Sequence, residues 1–168
     1  MHLPDPPAVS PDPQAPSEAG ERLARWEQLT RQAREAHGRS RLELALAAQV
    51  QALWLAEELL DSPLLARRPD DCLAALVVSH HNLADLYCHR GQAAQAIDHL
   101  CQVHGLLLRL GGDLHVPADV RQAAWRHLRE TRAGLLAWQR ERGPEPAIEA
   151  ALHLPELALH TGPSAHLH

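Results

Sequence analysis

His81, Asp85, Cys88 and His89 follow one another at i, i+4, i+7 and i+8. On an α-helix those intervals put all four side chains on one side of the rod. Imidazole, carboxylate and thiolate are the groups that bind transition metals, so Zn, Fe or Cu is one ligand this stripe could take. Geometry limits the idea. His81 and His89 would stand about 12 Å apart along the axis, at 1.5 Å per residue. A metal bond spans only about 2 Å, so a single ion cannot hold both. One helix can supply a pair, His81 with Asp85 or Asp85 with His89, with Cys88 beside it. Further ligands would have to come from a facing wall, for which Glu27, Arg31, Arg126, His127 and Glu130 are candidates. Without a metal, the same residues are hydrogen-bonding groups on the open side of a helix.

Catalytic signatures are missing. The chain has no glycine-rich phosphate loop, nucleophile elbow or paired-histidine metalloprotease motif. Cys88 and His89 are adjacent, and neighbours on a helix point in different directions, so they do not form a thiol–imidazole dyad. The sequence therefore predicts a protein that is not an enzyme and needs no cofactor. Cys72, Cys88 and Cys101 form no CxxC pair, which argues against a disulfide framework and a zinc knuckle.

The elements that position the stripe follow from composition and periodicity. Of the 168 residues 45% are hydrophobic, yet only 3% are aromatic and Phe is absent. A core of Leu and Ala favours helices over sheets. Residues 1–16, rich in Pro, read as a flexible leader. Ser17 is placed to cap a first helix, with Glu18 and Glu21 in its first turn and Leu23, Trp26, Leu29 and Ala33 at helical spacing. Gly38 and Ser40 punctuate. A second helix carries Leu42, Leu46, Leu53, Ala56 and Leu60 and stops at Asp61-Ser62-Pro63, with residues 64–68 as a connector. The third holds Leu73, Leu76, Val77, His80, Leu83, Ala84 and Tyr87 and breaks at Gly91. A fourth covers about 93–110, and a fifth opens at Pro117 and ends before Gly143. A short sixth spans about 147–154, where Pro155 should interrupt it. The tail 161–168, ending in histidines, should be frayed. His80 lies on the apolar stripe and should be buried and hydrogen-bonded to a neighbouring helix.

Residues 80–100, HHNLADLYCHRGQAAQAIDHL, resemble the signature of a tetratricopeptide repeat (TPR). Leu83, Ala84, Tyr87, Gly91, Ala96 and Leu100 fall on its characteristic positions. His80 stands where the family usually has a bulky aromatic, and Ala93 where it often has Tyr. Trp26 with Leu29, and Trp125 with Leu128, echo the opening of the same pattern. The resemblance implies an all-α, TPR-like stack of three antiparallel hairpins, about 17–61, 70–110 and 117–158, forming one helical domain over 17–160. It also implies a concave groove that grips a peptide or partner helix, with His81, Asn82, Asp85, Cys88 and His89 facing it from the central helix. Arg126 and Glu130 join them as groove residues on the next hairpin. The Lys and Arg set with which some family members clamp a C-terminal carboxylate is missing.

The functional expectation is a non-catalytic scaffold whose partner is a protein or peptide, with a metal-binding or metal-sensing protein as the alternative. The formal net charge is −5, every basic residue is Arg, and no basic run appears, which speaks against nucleic acid. The absence of a long apolar run speaks against a membrane span, and the start of the chain does not read as a signal peptide, so the cytoplasm is expected. The apolar last helix could pair two copies into a homodimer. The 13 histidines make charge steep in pH.

Overall fold

The computed structural model describes residues 18–160, with side chains to Leu154, and is all-helical over that range. The expected leader 1–16, the Ser17 cap and the tail 161–168 lie outside the described residues. The helices are α1 (Glu18–Gly38), α2 (Leu42–Leu60), a single turn α3 (Leu64–Arg67), α4 (Pro69–His89), α5 (Ala93–Gly112), α6 (Ala118–Arg142) and α7 (Pro146–His160). Acidic residues open α1 (Glu18, Glu21) and α4 (Asp70, Asp71), where they meet the positive end of the helix dipole. Pro69 begins α4, a position where its missing N–H has no partner to lose.

Helix ends follow the punctuation with two departures. At Gly91 (φ 78°) the chain turns left-handed, and the N–H groups of Gly91 and Gln92 donate to the carbonyls of Cys88 and Tyr87. This is a Schellman end, which satisfies two carbonyls of the last turn. The end of α1 has the same bonds, Ser40 N–H to His37 and Arg41 N–H to Ala36, but the left-handed residue is Ser40 (φ 58°). Gly38, two residues earlier, is simply the last residue of the helix. The sixth expected element also differs. It does not stop before Pro155 but runs to His160 as α7. A proline removes one backbone bond, and the Glu, Leu and Ala residues that follow it are strong helix formers.

Packing is organised around α4. α1 packs on α2, α2 on α4, α4 on α5, and α5 on α6, while α6 also returns to touch α4. α7 leans chiefly on α5 rather than on α6, its neighbour in sequence. Ile148 and Ala151 bury themselves there with Ala96, Ile97, Leu100 and Leu135. The larger cluster joins α1, α2, α4, α5 and α6 through Leu23, Leu53, Leu59, Leu73, Leu76, Leu83, Val103, Leu107 and Leu128. Ala45, Ala52 and Ala56 on α2 are fully buried, and such small side chains let helices approach closely.

Polar contacts tie α4 to α1, α2 and α5, and α5 to α6. Trp26 Nε1 donates to Ser79 Oγ (2.8 Å, α1 to α4), and Asn82 Nδ2 to Gln49 Oε1 (3.3 Å, α4 to α2). His80 and His99 meet Nδ1 to Nδ1 at 3.1 Å between α4 and α5. His104 Nδ1 meets Thr131 Oγ1 at 2.8 Å between α5 and α6. The buried, hydrogen-bonded role expected of His80 is what the structure shows.

Candidate functional site

The face of α4 that points away from the core runs through His81, Asn82, Asp85, Cys88 and His89. α1 and α6 come against its two flanks, and each leaves a cleft. The first, about 150 Å³, lies between α1, α2 and α4 and is lined by Thr30, Ala33, Arg34, His37, Gln49, Asn82, Asp85, Leu86 and His89. The second, about 310 Å³, lies between α4, α5 and α6 and is lined by His81, Ala84, Asp85, Cys88, His89, Leu100, Gly134, Ala137, Trp138, Glu141 and Arg142. Asp85 and His89 belong to both and form a ridge between them. All five groove positions expected on α4 therefore line a cleft.

The expected facing walls are displaced. Arg126 pairs with Asp70 at the far end of α4, with Nε–Oδ1 at 3.1 Å and Nη2–Oδ2 at 2.6 Å, and lies outside both clefts. The guanidinium holds the Asp70 carboxyl below its usual range. Glu130 is also outside, 3.5 Å from His127 Nδ1. On α1 the wall is not Glu27 and Arg31 but Thr30, Ala33, Arg34 and His37, one register step around the helix. On α6 it is the last two turns, from Gly134 to Arg142, rather than residues 126–130.

The two clefts differ chemically. In the second, Ala84, Leu100, Ala137 and Trp138 make an apolar floor, and the Arg142 guanidinium stacks 4.6 Å over the Trp138 ring. His81 is half-buried with its Nε2 shielded and without a hydrogen-bond partner, beside Gly134, where a Cβ would stand 3.5 Å from the imidazole. Burial pushes the His81 pKa down, against the pull of Asp85 and Glu130. Burial likewise pushes the Cys88 thiol up, which disfavours the thiolate that a nucleophile or metal ligand must be.

The first cleft is more polar. His89 Nδ1 lies 2.8 Å from the Asp85 carbonyl oxygen. A carbonyl only accepts, so Nδ1 carries the proton there. The His37 ring meets His89 edge-on, with centroids 4.7 Å apart. At the floor, Thr30 and Gln49 are 6% and 1% exposed, and Thr30 Oγ1 and Gln49 Nε2 have no hydrogen-bond partner. Sequence reasoning missed both. The signal was available, because Gln49 continues the apolar stripe of Ala45, Leu46, Ala52, Leu53 and Ala56, and Thr30 sits between Leu29 and Ala33.

The metal expectation gains little from this geometry. His81 faces the second cleft while the ring of His89 turns toward His37, so the stripe offers pairs rather than a cage. Among the described residues no three His, Cys, Asp or Glu side chains come close enough to share an ion. Among them, too, no helix is long and apolar enough to cross a membrane. In comparison with known proteins, residues 24–166 match the family model described as "Protein of unknown function (DUF2753)". No curated protein and no solved structure matches the chain.

Proposed function

We propose, from the premise that the chain belongs to the DUF2753 family and that no activity comes with that membership, that it is a non-catalytic interaction scaffold. In this reading α1 with α2, α4 with α5, and α6 with α7 are TPR-like hairpins. The first helix of each hairpin faces a shared groove that takes a segment of another protein. The observation that carries the proposal is the pair of clefts on either side of α4, which share Asp85 and His89 and together draw on α1, α4 and α6. Concave sites with an apolar floor and a few polar groups are the usual form of a binding site. The thiol of Cys88, raised by burial, favours binding over covalent chemistry at that residue.

Selection from a random peptide library on the immobilised full chain tests this. Enriched peptides should slow amide hydrogen exchange in α1, α4 and the end of α6, and Asp85→Arg should abolish their capture. Failure to enrich any peptide, or capture indifferent to Asp85→Arg, overturns the scaffold reading. Elemental analysis of untagged, dialysed protein runs alongside. Stoichiometric Zn, Fe or Cu that is lost in His81→Ala would put the metal reading in its place.

A further inference from the structure

The floor of the first cleft contains two buried polar groups that the fold itself leaves unanswered. Gln49 reaches α4 through one end of its amide only. Its Oε1 accepts from Asn82 Nδ2, and its Nε2 donates to nothing. Thr30 Oγ1, on the opposite wall, has no partner either. A buried amide or hydroxyl without a hydrogen bond is costly, and native structures keep such groups chiefly where a ligand or water answers them. Space is available, since a cavity of about 150 Å³ in another protein accommodates benzene.

The rim decides the class of ligand. Arg34 on α1 makes no ion pair among the described residues, and the Asp85 carboxylate on α4 makes none either. On this rim the one guanidinium and the one carboxylate cancel. A carboxylate entering the cleft would face Asp85, and an ammonium would face Arg34. A neutral group with an acceptor at one end and a donor at the other would face a partner at both. Its carbonyl would take the protons of Arg34 and, after a side-chain rotation that opens these occluded atoms to the cleft, of Gln49 Nε2 or the Thr30 hydroxyl, and its N–H₂ would donate to Asp85. We infer that the first cleft is a subsite for a primary carboxamide, the side chain of an asparagine or glutamine carried by the bound segment. The inference deepens the scaffold reading and rests on it for the source of the amide.

Capped single residues test the subsite without any partner protein. The N-acetyl N′-methylamides of glutamine, asparagine, glutamate, methionine and alanine are titrated into the labelled full chain at pH 8, above the ordinary imidazole range. Side-chain NH₂ and backbone amide NMR shifts are followed. All five probes carry the same backbone amides, so differences among them report the side chain. One or both amide residues should shift the Gln49 NH₂ signals saturably and bind at least tenfold more tightly than glutamate, methionine and alanine. Which of the two does so identifies the residue. Gln49→Glu, which replaces the donor with an acceptor, and the near-isosteric Thr30→Val should each erase that preference. Thermal melts and the unperturbed signals of α6 verify folding. Equal binding of all five, tighter binding of glutamate, or no saturable shift up to 50 mM (water alone filling the cleft) overturns the inference. Amide binding without any enriched library peptide leaves the subsite standing and removes the scaffold. Enriched peptides without amide preference do the reverse.

Discussion

Acid should loosen this fold before its carboxylates are protonated, and His80 is the main cause. The His80 ring is 5% exposed and meets His99 Nδ1 to Nδ1 at 3.1 Å, with the His99 ring stacked in turn on Tyr87. That contact needs one Nδ1 carrying a proton and the other bare, so the accepting ring must be neutral. Protonating the accepting ring puts donor against donor, and protonating the other places a charge in a buried site. Burial, with His99 and His81 close by, pulls the His80 pKa from 6.5 down to about 4. Burial lowers His81, His99 and His104 as well. Below 6.5 the unfolded chain binds a proton at His80 that the folded chain refuses until about pH 4. Stability therefore falls as pH falls through that window and is fully present above it. Integrated from pH 7 to pH 5, His80 alone contributes about 2 kcal/mol. For a urea slope of about 2 kcal/mol/M this moves the midpoint down by about 1 M. Urea titrations at pH 7, 6 and 5, on the wild type and on His80→Leu, measure it. The variant should begin less stable, because His99 loses its partner, and should show a shallower pH slope. A midpoint that is flat between pH 7 and 5, or a slope unchanged in His80→Leu, would refute the argument.

Other substitutions probe the packing and the turns. Leu83 is fully buried in the C-terminal half of α4, and Leu83→Ala should cost about 2–5 kcal/mol in chemical denaturation. Ser40→Gly should stabilise the chain by about 1 kcal/mol, because glycine adopts the left-handed conformation without the steric penalty serine bears. Thr131 donates to the Leu128 carbonyl and so receives the proton of His104 Nδ1. Thr131→Val leaves that buried donor unanswered and should lower stability by about 1–3 kcal/mol on the same titration. Burial raises all three thiols, so alkylation at pH 8, followed by mass spectrometry, should be slower than that of free cysteine. Cys72, with no exposed surface, should react only after unfolding.

Where helical periodicity was strong, the sequence was readable. Leu73, Leu76, His80 and Leu83 lie on the buried side of α4, and all five residues picked for its open side line a cleft. Gly91 announced its turn because only glycine is at ease there. The facing walls were less legible. Thr30 and Arg34 differ from Glu27 and Arg31 only by the rotation of α1 about its axis, which Trp26 sets by reaching Ser79, 53 residues away in the chain. The same limit hid the seat of α7 on α5, since an Ala- and Leu-rich helix fits several partners. Arg126 was drawn off to Asp70 by a contact across 56 residues that no local spacing reports.

On the scaffold reading, because Asp85 and His89 are walls of both clefts, α4 would work as a ruler. A segment that anchors in both clefts at once must cross the width of one helix, about 10 Å. In an extended strand, at about 3.3 Å per residue with side chains alternating faces, its two anchors must share a face and would stand two or four positions apart. In a helix, at about 1.5 Å per residue, they would stand about seven apart, two turns along a single face. Sequences that space their anchors otherwise can fill one cleft but not the two together. The thickness of the backbone between the clefts would then select among partners before any side chain in them is read.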